Sequence, residues 1–89
     1  MTDSGFSLAE QRVLVTGASS GIGAAIASRL ANAGAIVVVV SRSGGIPESK
    51  GTMYSLVADL SDPEETDTVI ERAVAMLDGL DILVNNAGR

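Results

Sequence analysis

Residues 12–40 read RVLVTGASSGIGAAIASRLANAGAIVVVV, and the fold is decided there. Three segments of different period follow one another. Arg12 to Thr16 (RVLVT) is a short apolar run that ends at Gly17. Residues 21–33 (GIGAAIASRLANA) place Ile22, Ile26, Leu30 and Ala33 at spacings of 4, 4 and 3, which is one face of a helix. Gly34 stands just past it, where a helix stop belongs. Ala35 to Val40 (AIVVVV) is unbroken and β-branched. A strand apolar on both faces is buried on both sides, as in a parallel sheet.

The rest of the chain repeats the alternation. Residues 41–52 (SRSGGIPESKGT) are polar and interrupted by three glycines and a proline, which predicts a loop, or at most one helical turn. Met53 to Ala58 (MYSLVA) is a third strand. In the SDPEE stretch that follows, Asp62 can cap a helix, Pro63 suits its first position, and Glu64 and Glu65 sit on the positive end of its dipole. Val69, Ile70, Ala73, Val74 and Leu77 form that helix's apolar stripe, and Gly79 ends it. Leu80 to Asn85 (LDILVN) is the fourth strand. Strands separated by helices require right-handed crossovers and a parallel sheet. The expected class is α/β: the first half of a doubly wound (Rossmann) sheet, four strands in order 3-2-1-4. All 89 residues are expected to form part of one domain, with residues 1–9 as an N-terminal extension.

Composition removes several functions. The formal charge is −5, from 11 acidic and 6 basic residues, which argues against nucleic acid or an anionic membrane surface as the main partner. The chain has no cysteine and no histidine, so disulfides, thiolate or His-ligated zinc and His-based triads are excluded, and no metal site is expected. Hydrophobic residues make up 46%, too many for disorder. The longest strictly apolar run, Ala35 to Val40, is far short of the roughly 20 residues of a membrane span. The first ten residues carry Asp3 and Glu10 and no Lys or Arg, unlike a secretory leader. A cytoplasmic protein is the expectation.

The turn Thr16-Gly17-Ala18-Ser19-Ser20-Gly21-Ile22-Gly23 has the chemistry of an anion site. Gly17 permits a tight turn, Gly21 lets backbone approach a diphosphate, and Gly23 lets the helix pack close to the sheet. Free N–H groups at the helix start and its dipole favour negative charge, and Ser19 and Ser20 add hydroxyl donors. A glycine-rich turn that binds nothing is the alternative. The strand before it and the amphipathic helix after it supply the context a dinucleotide site needs. No Lys follows the last glycine, so it is not a P-loop.

Together, TGASSGIG at 16–23, ADL at 58–60 and NNAG at 85–88 resemble the short-chain dehydrogenase/reductase family, over nearly the whole chain from about Leu8 to Arg89. The resemblance implies that Gly17, Ser19, Ser20, Gly21, Ile22 and Gly23 hold the diphosphate of a dinucleotide cofactor. It places Asp59, with Leu60 beside it, at the adenine edge, and Asn86, Ala87 and Gly88 at the ribose. It leaves Asn85 to brace the sheet through backbone hydrogen bonds. The end of the second strand chooses the nucleotide. A carboxylate there would repel a 2′-phosphate, but this chain has Ser41 and then Arg42, whose guanidinium can pair with one. NADP is expected over NAD.

The family's chemistry uses a Tyr-x-x-x-Lys pair and an upstream Ser for proton transfer. The only tyrosine, Tyr54, is followed four residues later by Ala58, and the only lysine, Lys50, precedes it. No catalytic residue is assigned. The chain is therefore expected to be the cofactor-binding N-terminal portion of an oxidoreductase that acts on a small ketone or alcohol, the full-length parent being a homo-oligomer. Two other readings stay open: a truncated dinucleotide-binding module without turnover, and a remnant that binds nothing. The fourth strand is expected to form an open apolar edge, which leaves residues 1–89 alone marginally stable or self-associating.

Overall fold

A computed structural model describes residues 9–17 and 21–86. The elements are β1 (Arg12–Thr16), α1 (Gly21–Asn32), β2 (Ile36–Ser41), β3 (Thr52–Val57), α2 (Pro63–Leu77) and β4 (Ile82–Asn85). The sheet is wholly parallel in the order β3-β2-β1-β4. This is the expected half of a doubly wound sheet.

Alternation along the two central strands builds a core on each face. Val13, Val15, Val37 and Val39 pack beneath α1 with Ala27 and Ala31. Leu14, Val38, Val40 and Leu56 pack beneath α2 with Val69, Ala73 and Leu77. Both faces of β1 and β2 are therefore covered, which explains why their sequences are continuously apolar. Each fully buried Val or Leu contributes about 1.5–3 kcal/mol relative to an exposed one.

The buried face of α1 differs from the predicted stripe. Gly23, Ala27 and Ala31 face the sheet, while Ile22 is 74% exposed and Leu30 packs at the margin. Small residues every fourth position let the helix backbone approach a layer of valines, and the bulkier side chains are displaced to the flanks. The helix ends at Asn32, one residue before the sequence reading, and Gly34 (φ 105°) turns the chain out of it, with the Ala35 N–H donating to Leu30 O at 3.1 Å.

On α2 the Asp62 cap accepts a hydrogen bond from the Glu64 N–H at 3.0 Å, and Pro63 opens the helix. Val69, Ala73 and Leu77 are buried; Ile70 and Val74, predicted in the same stripe, are 38% exposed. At the end of α2, Asp78 is the cap in the left-handed conformation (φ 60°, ψ 38°), directly before Gly79. Gly79, the next residue, also has a positive φ (136°), which favours glycine there, and its N–H donates to Val74 O at 3.0 Å.

Strand ends shift slightly from the sequence reading. β4 begins at Ile82 instead of Leu80, because Asp81 is turned towards Arg12. Its Oδ2 accepts from the Arg12 backbone N–H (2.8 Å) and Nε (2.9 Å), and Oδ1 accepts from Nη2 (3.0 Å). Arg12 Nη1 also donates to Asp78 O at 2.7 Å. Residues 42–51 form a loop without a helical turn, as expected. Two contacts tie it along α1: Ser28 Oγ donates to Glu48 O (2.7 Å), and the Lys50 N–H donates to Asn32 Oδ1 (2.8 Å). Among the described residues, no helix is long and apolar enough to cross a membrane.

Candidate functional site at the carboxyl edge of the sheet

Parallel strands put all four C-terminal ends on one edge. Thr16 stands opposite Val40 and Asn85, and Ser41 stands opposite Val57. Of the predicted site residues, Ser41 ends β2, and Gly17, Arg42, Asp59, Leu60 and Asn86 follow the strand ends. Ala18, Ser19, Ser20, Ala87, Gly88 and Arg89 lie outside the described residues.

At the end of β1, Gly17 turns the chain with φ 67° and donates its N–H to Val40 O at 2.9 Å. Gly21 opens α1, also with φ 67°, and a Cβ built on it would meet nothing within 4 Å. Among the described residues, nothing covers the start of this 12-residue helix at Gly21, where its N–H groups have no partners within the helix. Gly23 is the reverse case. A Cβ there would lie 2.3 Å from Gly17 O and 2.5 Å from Asn86 Nδ2.

That crowding marks a direct link between the glycine-rich turn and the end of β4. Asn86 Nδ2 donates to Gly17 O at 3.3 Å, and the Asn86 backbone N–H donates to Thr16 Oγ1 at 3.0 Å. The Thr16 hydroxyl in turn lies 3.2 Å from Asn85 Oδ1 and 3.4 Å from Val84 O. Asn85 thus braces the sheet with its side chain as well as by pairing with Thr16. The partners of Thr16 come from a segment almost 70 positions away, which no local pattern around the turn reveals.

The other half of the edge carries charge. Ser41 Oγ accepts the Gly44 N–H at 2.9 Å, and Arg42 beside it is exposed. Asp59 is held tightly: Ser61 donates both its hydroxyl (2.6 Å) and its N–H (3.0 Å) to Asp59 Oδ1. The Asp59 N–H donates to Glu65 Oε1 at 2.8 Å. The Ser61 hydroxyl, then its N–H, and the positive charge of Arg42 hold the Asp59 carboxyl below its usual range. Ser61 and Glu65 were missed as supports, although Asp-x-Ser is the spacing of a local side-chain-to-backbone turn. Leu60 is half-buried against the cluster beneath α2.

The family model described as short chain dehydrogenase matches residues 11–89. The chain belongs to the short-chain dehydrogenase family. It is 43% identical over 90 residues to the fatty acyl-CoA reductase of Mycobacterium tuberculosis, covering 92% of this chain and 31% of that protein. A dehydrogenase/reductase structure from Sinorhizobium meliloti superposes with a TM-score of 0.80 at 42% identity, over 92% of this chain and 36% of that one. L-Sorbose reductase from Gluconobacter frateurii, solved with NADPH and L-sorbose, gives a TM-score of 0.79 at 32% identity, over 94% of this chain and 35% of that one. The chain thus spans about a third of the short-chain dehydrogenases it matches. Within it, Tyr54 is half-exposed on β3, at the opposite edge of the sheet from β4.

Proposed function

We propose that this chain is the NADP(H)-binding N-terminal portion of a short-chain oxidoreductase that interconverts a small-molecule carbonyl and its alcohol. One observation carries the reading: the left-handed start of α1 at Gly21, with no described residue within 4 Å of its Cβ position, beside Gly17 bonded to Asn86 just past β4. A diphosphate needs close backbone approach at a helix start, and a Cβ-free position with open space in front provides it. Gly17, Ser19, Ser20, Gly21, Ile22 and Gly23 would hold the diphosphate. Ser41 and Arg42 would hold the 2′-phosphate, Asp59 and Leu60 the adenine, and Asn86, Ala87 and Gly88 the ribose.

Arg42 supports NADP over NAD. It is exposed at the end of β2, and no carboxylate in that position opposes a phosphate. The bound cofactor supplies or accepts the hydride; this chain's residues bind and orient it. Proton transfer belongs to residues of the whole protein beyond those present here, which we place in the cytoplasm as a homo-oligomer. Titration of the chain with NADPH and NADH, read by nicotinamide fluorescence, tests the reading. Saturable binding with NADPH the tighter ligand is expected. Absence of binding to either would overturn it, and equal affinities would overturn the NADP assignment.

A further inference from the structure

Resting on that reading, we propose that Ser61 is a positioning residue that makes the cofactor site selective for a 6-amino purine over a 6-oxo purine. Both Ser61 donors converge on the same oxygen, Asp59 Oδ1, at 2.6 and 3.0 Å. The other carboxylate oxygen, Oδ2, has no hydrogen-bond partner among the described residues. The backbone of Asp59 is held by Glu65, which sits in the first turn of α2 and accepts the Asp59 N–H at 2.8 Å. The carboxylate is therefore tethered through one oxygen and through its own peptide.

An ionised carboxylate oxygen accepts hydrogen bonds and cannot donate them. The two Ser61 donors and the Arg42 charge favour that ionised form. Adenine presents an amino group at its 6-position, which donates. Hypoxanthine and guanine present a carbonyl oxygen, which would place lone pairs against lone pairs. Without Ser61 the carboxyl rotates about its own bonds and can turn away from an oxo group, so discrimination falls while the charge remains.

The test compares NADPH with its hypoxanthine analogue, deamino-NADPH, in fluorescence titrations of the chain and its Ser61→Ala and Ser61→Thr variants. Ser61 is exposed, and circular dichroism checks that each variant is folded. The natural chain is expected to prefer NADPH about tenfold, which corresponds to about 1.4 kcal/mol. Ser61→Ala should cut that preference to about threefold or less, and Ser61→Thr, which keeps both donors, should restore it. A purely structural role would weaken both ligands equally and leave the ratio unchanged, and that result overturns the proposal. So does a natural chain that binds both ligands equally, or a folded Ser61→Thr that loses the preference. If neither dinucleotide binds, the cofactor reading falls and the proposal with it, which separates the two failures.

Discussion

Gly23→Ala sets two opposing effects against each other at one atom. Alanine is the better helix former by about 1 kcal/mol, so propensity alone predicts a more stable protein. Geometry predicts the reverse. The new methyl would stand 2.3 Å from Gly17 O and 2.5 Å from Asn86 Nδ2, about 1 Å inside ordinary contact. Gly17 O is backbone fixed by the turn, so α1 must lift from the sheet or the Asn86 amide must leave. Overpacking of this kind costs about 1–3 kcal/mol. Loss of the Asn86–Gly17 hydrogen bond adds about 0.5–1.5 kcal/mol. Sterics win, with a net loss of about 1–3 kcal/mol and a fall in Tm on the order of 10 °C for a domain of this size. Thermal and urea unfolding followed by circular dichroism measure it, and NADPH titration should show weaker binding in parallel. Gly21 provides the contrast. Nothing lies within 4 Å of its Cβ position, so Gly21→Ala is strained only by the left-handed backbone, by about 1–2 kcal/mol, and Gly21→Asn should recover part of that. Asparagine at position 23 should recover nothing. A Gly23→Ala protein as stable as the natural one, with unchanged affinity, would refute the close approach of α1 to Gly17 and Asn86.

Four further outcomes follow from the same geometry. Arg12 holds the Asp81 carboxyl down to about 2, so its contribution to stability is complete above about pH 4 and is lost as pH falls from there towards 2; Asp81→Asn should give a shallower decline of Tm over that window. Arg42→Ala should weaken NADPH binding about tenfold, as expected for one charge-assisted contact, and leave NADH nearly unchanged in the same titration. Leu14 is fully buried on the central strand, so Leu14→Ala should cost about 2–5 kcal/mol and abolish or sharply lower the cooperative thermal transition. Leu83, 50% exposed on the β4 edge, borders an open groove of about 300 Å³ with Ile70 and Val69; Leu83→Lys should reduce concentration-dependent association in sedimentation velocity.

What the sequence made legible was local and periodic. Val37 to Val40 could only be a strand covered on both faces, and the two clusters beneath α1 and α2 bear this out. Asp62-Pro63 marked the start of α2 because a cap and a fixed φ act on neighbouring residues. The face of α1 was misjudged because hydrophobicity ranks Ile22 above Gly23, whereas the deciding quantity was the space between helix and sheet. Gly79 marks the end of α2, but the cap itself is Asp78, a non-glycine in the left-handed conformation that composition does not reveal. Glycine spacing found the turn at the site. It could not find the partners of Arg12 or Gly17, each 69 positions away, because those pairs exist only once β4 lies beside β1.

These distant pairs share a purpose at opposite ends of one strand pair. β4 has four residues and, among the described residues, pairs with β1 alone. Four backbone pairings resist a slip of register weakly, and a slip of one residue would exchange the two faces of the strand, turning Leu83 to the side that Ile82 and Val84 pack on. At the amino end of the pair, Arg12 grips Asp81 with its backbone N–H and its guanidinium. At the carboxyl end, Thr16 receives the Asn86 N–H and Gly17 receives its amide. Either clamp alone would tolerate a stretch of the strand; both together admit a single register. The same register sets Asn86 against Gly17, and so aligns the two segments that the family resemblance assigns to the cofactor. An ion pair at the far end of the sheet therefore bears on the geometry of the binding edge without touching it.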